Sequence, residues 1–122
     1  MNLGSLFIIS TPIGNLEDIT YRAIKTLDEV DIVLCEDTRV TRRLLNNYNI
    51  NTKMISYNEY NEIQKIDSIS QLLIEGSSIA LVSDAGTPCI SDPGYRLISS
   101  IKNNHPEINV ISIPGPSASI SS

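Results

Sequence analysis

Ile79-Ala80-Leu81-Val82-Ser83 is an almost unbroken apolar run between Gly76 and a loop that holds Asp84, Gly86, Pro88, Asp92, Pro93 and Gly94. A strand with one wet face alternates apolar and polar residues, whereas a continuous apolar run suits a strand covered on both faces, as in a parallel sheet between helices. Outward from this run lie four more of the same kind: Leu6–Ser10, Ile32–Cys35, Lys53–Ser56 and Val110–Ile113. Between them the spacing turns helical. Ile63, Ile66, Ile69, Leu72 and Leu73 fall on one face, and Gly76 supplies a stop. Similar segments run from about Thr20 through Ile24 and Leu27, from about Val40 through Leu44 and Leu45, and from Pro93 through Leu97, Ile98 and Ile101.

The order β-α-β-α-β-α-β-α-β predicts an α/β fold: an open, mainly parallel five-stranded twisted sheet with helices on both faces. Ligands of such sheets bind beyond the carboxyl ends of the strands. The loops to inspect are therefore those that follow strands: Thr11–Asp18, Glu36–Arg39, Asp84–Gly94 and Pro114–Ala118.

Composition narrows the function. With 122 residues, 41% of them hydrophobic, the chain suffices for one domain. A formal charge of −5 argues against bulk electrostatic binding of nucleic acid, so such binding needs a local basic patch or a second domain. No apolar run reaches the length of about eighteen residues that a spanning helix needs, and Met1–Ser10 lacks a basic leader with a cleavage site. A cytoplasmic protein without membrane contact is expected. Cys35 and Cys89 stand apart without CxxC or His-rich surroundings, which suggests neither a metal site nor a disulfide. His105, in the polar run Lys102–Pro106, reads as a solvated loop residue. No GxGxxG follows the first strand and no GxxxxGK[ST] occurs, which removes most support for a nicotinamide enzyme or a nucleotide triphosphatase.

The Asp84–Gly94 loop is the strongest chemical feature. Gly86 permits close backbone approach while Pro88 and Pro93 stiffen their neighbours, so bare amides and carbonyls face a ligand. Asp84 either accepts hydrogen bonds from a ligand or braces the loop, and Asp92 before Pro93 also reads as a helix N-cap. Pro114-Gly115-Pro116-Ser117-Ala118 opens a helix after a strand, presenting free N–H groups or simply a stiff capped turn. Glu36, Asp37, Thr38, Arg39, Arg42 and Arg43 put two acids beside three guanidinium groups. They suit a phosphate-gripping patch next to a hydroxyl-orienting carboxylate, or a helix capped by Asp37 or Thr38 whose arginines form surface ion pairs; spacing favours the cap, which does not exclude the patch.

Five segments, in order, carry a resemblance: Ser10-Thr-Pro-Ile-Gly-Asn-Leu-Glu-Asp-Ile-Thr20, Cys35-Glu-Asp-Thr-Arg39, Ser56-Tyr-Asn-Glu59, Leu81-Val-Ser-Asp-Ala-Gly-Thr-Pro88 with Ile90-Ser-Asp-Pro-Gly94, and Ile113-Pro-Gly-Pro-Ser-Ala118. Over essentially the whole chain they closely resemble the tetrapyrrole methylase superfamily, in particular its branch that acts on small-subunit ribosomal RNA. The resemblance implies 2′-O-methylation of a cytidine ribose in 16S ribosomal RNA of the small ribosomal subunit, with S-adenosylmethionine as donor. It also implies a two-domain, homodimeric full-length protein. Residues 1–122 would then be its N-terminal α/β domain, with the C-terminal domain absent from this chain. The chain would supply half of the active site and be inactive alone.

By the same likeness Pro12, Asp84, Ala85, Gly86, Pro88, Ile90, Gly115, Ser117 and Ala118 bind the donor. Arg22, Arg39, Arg42 and Arg43, with Glu36, face RNA, and Glu36 or Asp37 orients the ribose hydroxyl. Cys89 departs from the pattern, which has a smaller residue such as glycine there. Only about one and a half helical turns follow Pro116, so the end at Ser122 is expected to be a cut in a longer chain. Two rivals predict different things. A methyltransferase for a small tetrapyrrole-like ring, with a carbon acceptor, calls for a roomy apolar trough and no arginine cluster. A non-catalytic donor- or RNA-binding fragment calls for binding without turnover.

Overall fold

Strands and helices alternate along the chain: β1 (Ser5–Ser10), α1 (Tyr21–Glu29), β2 (Ile32–Cys35), α2 (Thr38–Asn47), β3 (Lys53–Ser56), α3 (Glu62–Ile74), β4 (Ile79–Ser83), α4 (Gly94–Asn104) and β5 (Asn109–Ile113). The computed structural model describes residues 3–10, 20–36, 38–57, 62–83 and 94–113. Every pairing in the sheet is parallel, and the strand order is β3-β2-β4-β1-β5. The expected open α/β sheet is thus the observed one. Its edge strands each have a partner on one side only.

The winding follows from handedness. The chain steps from β1 past β4 to β2 and on to β3, then reverses, passing β2 to reach β4 and β1 to reach β5. Right-handed crossovers demand that a reversal of direction change the covering face. The core divides accordingly. Leu6, Ile8, Ile32, Leu34, Ile79 and Leu81 pack with Ile69 and Leu73 of α3 and Leu97, Ile98 and Ile101 of α4. Ile9, Val33, Cys35, Ala80, Val82 and Ile113 pack with Ala23 and Leu27 of α1 and Leu44 and Leu45 of α2. Neighbouring residues of one strand enter opposite clusters, as the two-residue period of a strand requires. That is why β4 reads as continuously apolar: each parity has a helix layer to meet.

Local chemistry sets the helix ends. The Thr20 hydroxyl accepts a hydrogen bond from the Ala23 amide at 3.1 Å and caps α1. At the end of α2 the Ile50 amide donates to the Leu45 carbonyl at 2.8 Å and the Asn49 amide to Asn46 at 3.2 Å, with Asn49 at φ 58°. The end of α3 repeats the device: Ser77 donates to Leu72 at 2.9 Å and Gly76 to Leu73 at 3.1 Å, with Gly76 at φ 106°. Both are left-handed terminations of the Schellman type, and Gly76 is the stop that its spacing predicts.

Candidate functional site

The parallel sheet brings all its carboxyl ends to one rim. Ser10 pairs with Ser83 where β1 and β4 end, Ile9 with Ile113 where β5 ends, and Cys35 with Ser56 where β2 and β3 end. The Tyr57 amide extends the last pair by donating to the Cys35 carbonyl at 2.8 Å. On the side of α1 and α2 the last buried residues beneath the rim are Ile9, Cys35, Val82 and Ile113, an apolar floor. From β4 the chain leads to α4 on one face, whereas from its neighbours β1 and β2 it leads to α1 and α2 on the other. Such a divergence of neighbouring strands is where open α/β sheets form their binding crevice.

Glu36 is the first residue beyond β2 and is exposed, directly above the buried Cys35. It stands between the apolar floor and the start of α2, where a carboxylate reaches solvent and the rim together. α2 begins at Thr38, so of the two capping candidates Thr38 lies within the helix, and Asp37 lies outside the described residues. Thr41, Leu44 and Leu45 bury the inner side of α2. Arg39, Arg43 and Asn46, spaced by four and three, point the opposite way, and Arg42 flanks them; all four are exposed. The helix Thr38–Asn47 contains no acidic residue, so every charged side chain on its outer side is cationic. Arg22 is exposed on α1, and its carbonyl accepts a hydrogen bond from the buried Thr26 hydroxyl at 2.8 Å.

The structure therefore brings Glu36, Arg22, Arg39, Arg42 and Arg43 to one helix layer and its rim, with the first turns of α1 and α2 both at the rim end. The expected donor-binding residues Pro12, Asp84, Ala85, Gly86, Pro88, Ile90, Gly115, Ser117 and Ala118, and Cys89, lie outside the described residues. Their flanking strand ends, at Ser10, Ser83 and Ile113, are the described ones that meet at the rim. Two features of this layer are missing from the sequence reading: Tyr21, at 79% exposure, and Lys25, also exposed, both on the outer side of α1. The periodicity of Ala23 and Leu27 already turns them outward. His105 is half-buried at the end of α4, its amide donating to the Ile101 carbonyl at 2.8 Å and its Nδ1 4.0 Å from the Glu107 carboxylate. Among the described residues no group of His, Cys, Asp and Glu is arranged to hold a metal ion.

An all-parallel open sheet with helices on both faces and a divergent rim defines an α/β domain of the doubly wound kind. Residues 5–121 match the Tetrapyrrole (Corrin/Porphyrin) Methylases, and the chain belongs to this family. Ribosomal RNA small subunit methyltransferase I of Thermotoga maritima is 53% identical over 116 residues, covering 95% of this chain and 51% of that protein. The protein of the same name from Halalkalibacterium halodurans is 53% identical over 118 residues, covering 96% of this chain and 40% of the relative. The chain thus spans about half the length, or less, of these curated relatives. Among solved structures, the cobalamin biosynthetic enzyme cobalt precorrin-4 methyltransferase shares the fold with a TM-score of 0.73 at 20% identity, over 91% of this chain and 45% of that one. Uroporphyrin-III C-methyltransferase from Thermus thermophilus does so with a TM-score of 0.68 at 16% identity, over 92% and 47%.

Proposed function

We propose that the full-length protein transfers a methyl group from S-adenosylmethionine to the 2′-oxygen of a cytidine ribose in 16S ribosomal RNA, with this chain providing half of the active site. The observation that carries this reading is the 53% identity to relatives named for small-subunit ribosomal RNA, against 16–20% to the ring methylases over nearly the same span. The arginines on the outer side of α2 agree with it, because a phosphate backbone needs such a surface; a ring that bears carboxylates would use one too, so the difference in identity is what separates the two substrates. Residues 1–122 form the N-terminal α/β domain in this reading, and a C-terminal domain closes the cleft. The full-length protein is a cytoplasmic homodimer that works on the small ribosomal subunit. Among the described residues no helix is long and apolar enough to cross a membrane.

The divergent rim between β1 and β4, with the end of β5 next to β1, fits a donor held by the segments that follow these three strands. Pro12, Asp84, Ala85, Gly86, Pro88, Ile90, Gly115, Ser117 and Ala118 are the residues assigned to it. When bound, the donor supplies a sulfonium-activated methyl group. The protein's task is then to align the ribose oxygen with that methyl and to exclude water, which accounts for most of the acceleration in an in-line displacement. Glu36 or Asp37 accepts the hydrogen bond of the 2′-hydroxyl, directs its lone pair and takes up the proton that the oxygen loses as it gains the methyl and the thioether departs, and Arg22, Arg39, Arg42 and Arg43 hold the flanking phosphates.

The full-length protein, incubated with methyl-labelled donor and small subunits lacking the modification, is expected to place label on one cytidine that then resists alkaline cleavage. Replacing Glu36 and Asp37 together by Ala should reduce that labelling by about 100-fold or more, the range of a lost acid–base contribution. Labelling of a tetrapyrrole and not of RNA would overturn the substrate, and full labelling by the double variant would overturn the carboxylate's role.

A further inference from the structure

Tyr21 opens α1 with 79% of its surface in solvent, the largest exposure among the large apolar side chains described. It adds nothing to the core, since α1 is anchored by Ala23, Thr26 and Leu27. Its own helix mixes charge, with Arg22 and Lys25 in the first turns and the exposed Asp28 and Glu29 in the last, whereas α2 beside it on the same face is purely basic in its charged residues. The helix α2 holds three of the chain's nine Lys and Arg residues and none of its fourteen Asp and Glu residues. It therefore carries a formal charge of about +3 in a chain whose total is −5. α1 and α2 share one buried cluster on one face of the sheet, and both start at the rim.

A polyanion with flat, separable rings fits an aromatic surface beside a cationic stripe better than a folded acidic protein does, because each group on the surface then meets a matching group. We infer that Tyr21 is a stacking platform for an unpaired RNA base whose neighbouring phosphates run along the Arg39–Arg43 side of α2. This rests on the ribosomal RNA reading above and adds to it a preference for single-stranded RNA close to the target ribose. Single-stranded bases can leave their stack for an aromatic ring, whereas bases in a duplex cannot.

The test uses the full-length protein and two fluorescent probes, a short single-stranded oligoribonucleotide of mixed sequence and a fully paired duplex of the same length, read by anisotropy across a salt series. Tyr21→Ala and Tyr21→Leu should each weaken single-strand binding by about ten-fold, the size of one lost base–aromatic stack, while Tyr21→Trp keeps it. Neither loss should alter the slope of log K against log salt or the duplex affinity, whereas Arg43→Ala should reduce the slope by about one. Wild-type single-strand affinity in both Tyr21→Ala and Tyr21→Leu, with Arg43→Ala still weakened, overturns the stack and leaves the RNA reading standing. Retained affinity in Tyr21→Leu alone also overturns it, since bulk rather than aromaticity would then suffice. If the wild-type protein binds neither probe, or prefers an acidic peptide, the stack falls, and the RNA reading is decided separately by the labelling of small subunits.

Discussion

Gly4 shows how one residue holds two distant parts of the chain in register. Its amide donates to the Leu73 carbonyl at 2.8 Å, and a Cβ at this position would overlap the Ser77 carbonyl oxygen. Both neighbours are backbone, held by the termination of α3, so they cannot rotate away as a side chain would. Gly4→Ala therefore forces β1 and the α3–β4 turn apart and should destabilise the protein by about 2–3 kcal/mol, the range for overpacking a filled site. Urea unfolding checks it: a lower midpoint with unchanged slope is expected, and a wild-type midpoint would refute the close approach. On the opposite rim from the candidate site, Asp31 makes a second such pin. Its carboxylate accepts from the Ser78 amide at 2.9 Å and its own amide donates to the Ser78 carbonyl at 2.8 Å. Residues at this end hold the sheet together and leave the other end to chemistry.

At the scale of elements, the two left-handed helix ends invite a comparison, because Gly76 takes its positive φ without steric penalty and Asn49 does not. Asn49→Ala should lower stability by about 1 kcal/mol, while Asn49→Gly should be neutral or slightly stabilising, both read from thermal midpoints. Equal losses in the two variants would mean that the Asn49 side chain matters and not its backbone. Most elements were legible beforehand, since β2, β3 and β4 match the apolar runs residue for residue. β1 and β5 begin one residue earlier, at Ser5 and Asn109, which pair with each other but carry no apolar signal. Strand order was out of reach because β1 skips past β4 to place β2, a choice made by helix layers far apart in sequence. Within the site, the outward turn of Arg39 and Arg43 follows from their spacing against Leu44 and Leu45. Tyr21 escaped notice because tyrosine counts as apolar in a pattern, and because α1 buries a polar Thr26 whose hydroxyl is satisfied by the Arg22 carbonyl.

For the whole molecule, the rim matters most. Small-ligand sites are concave and bury about 70–90% of the ligand, and a sheet rim offers contact on one side of such a ligand only. The chain spans 51% and 40% of the two relatives reported, so a second wall outside residues 1–122 is consistent with their length. If that wall exists, both the full-length protein and residues 1–122 will contact the donor, but the shorter one will leave roughly half of it in water. Calorimetric titration with S-adenosylmethionine should then give an affinity at least about 100-fold weaker for residues 1–122, a loss of about 2.7 kcal/mol. Circular dichroism has to show the same α/β content in both proteins, since a collapsed short chain would mimic the loss; the two buried clusters that its described residues form predict that it folds. Equal affinities would mean that the rim and its loops enclose the donor unaided, and the two-walled cleft would be wrong. Heat in neither titration would remove the donor itself. Only the intermediate result, strong binding by the long chain and weak binding by the folded short one, agrees with a socket whose first half is built on the ends of β1 and β4.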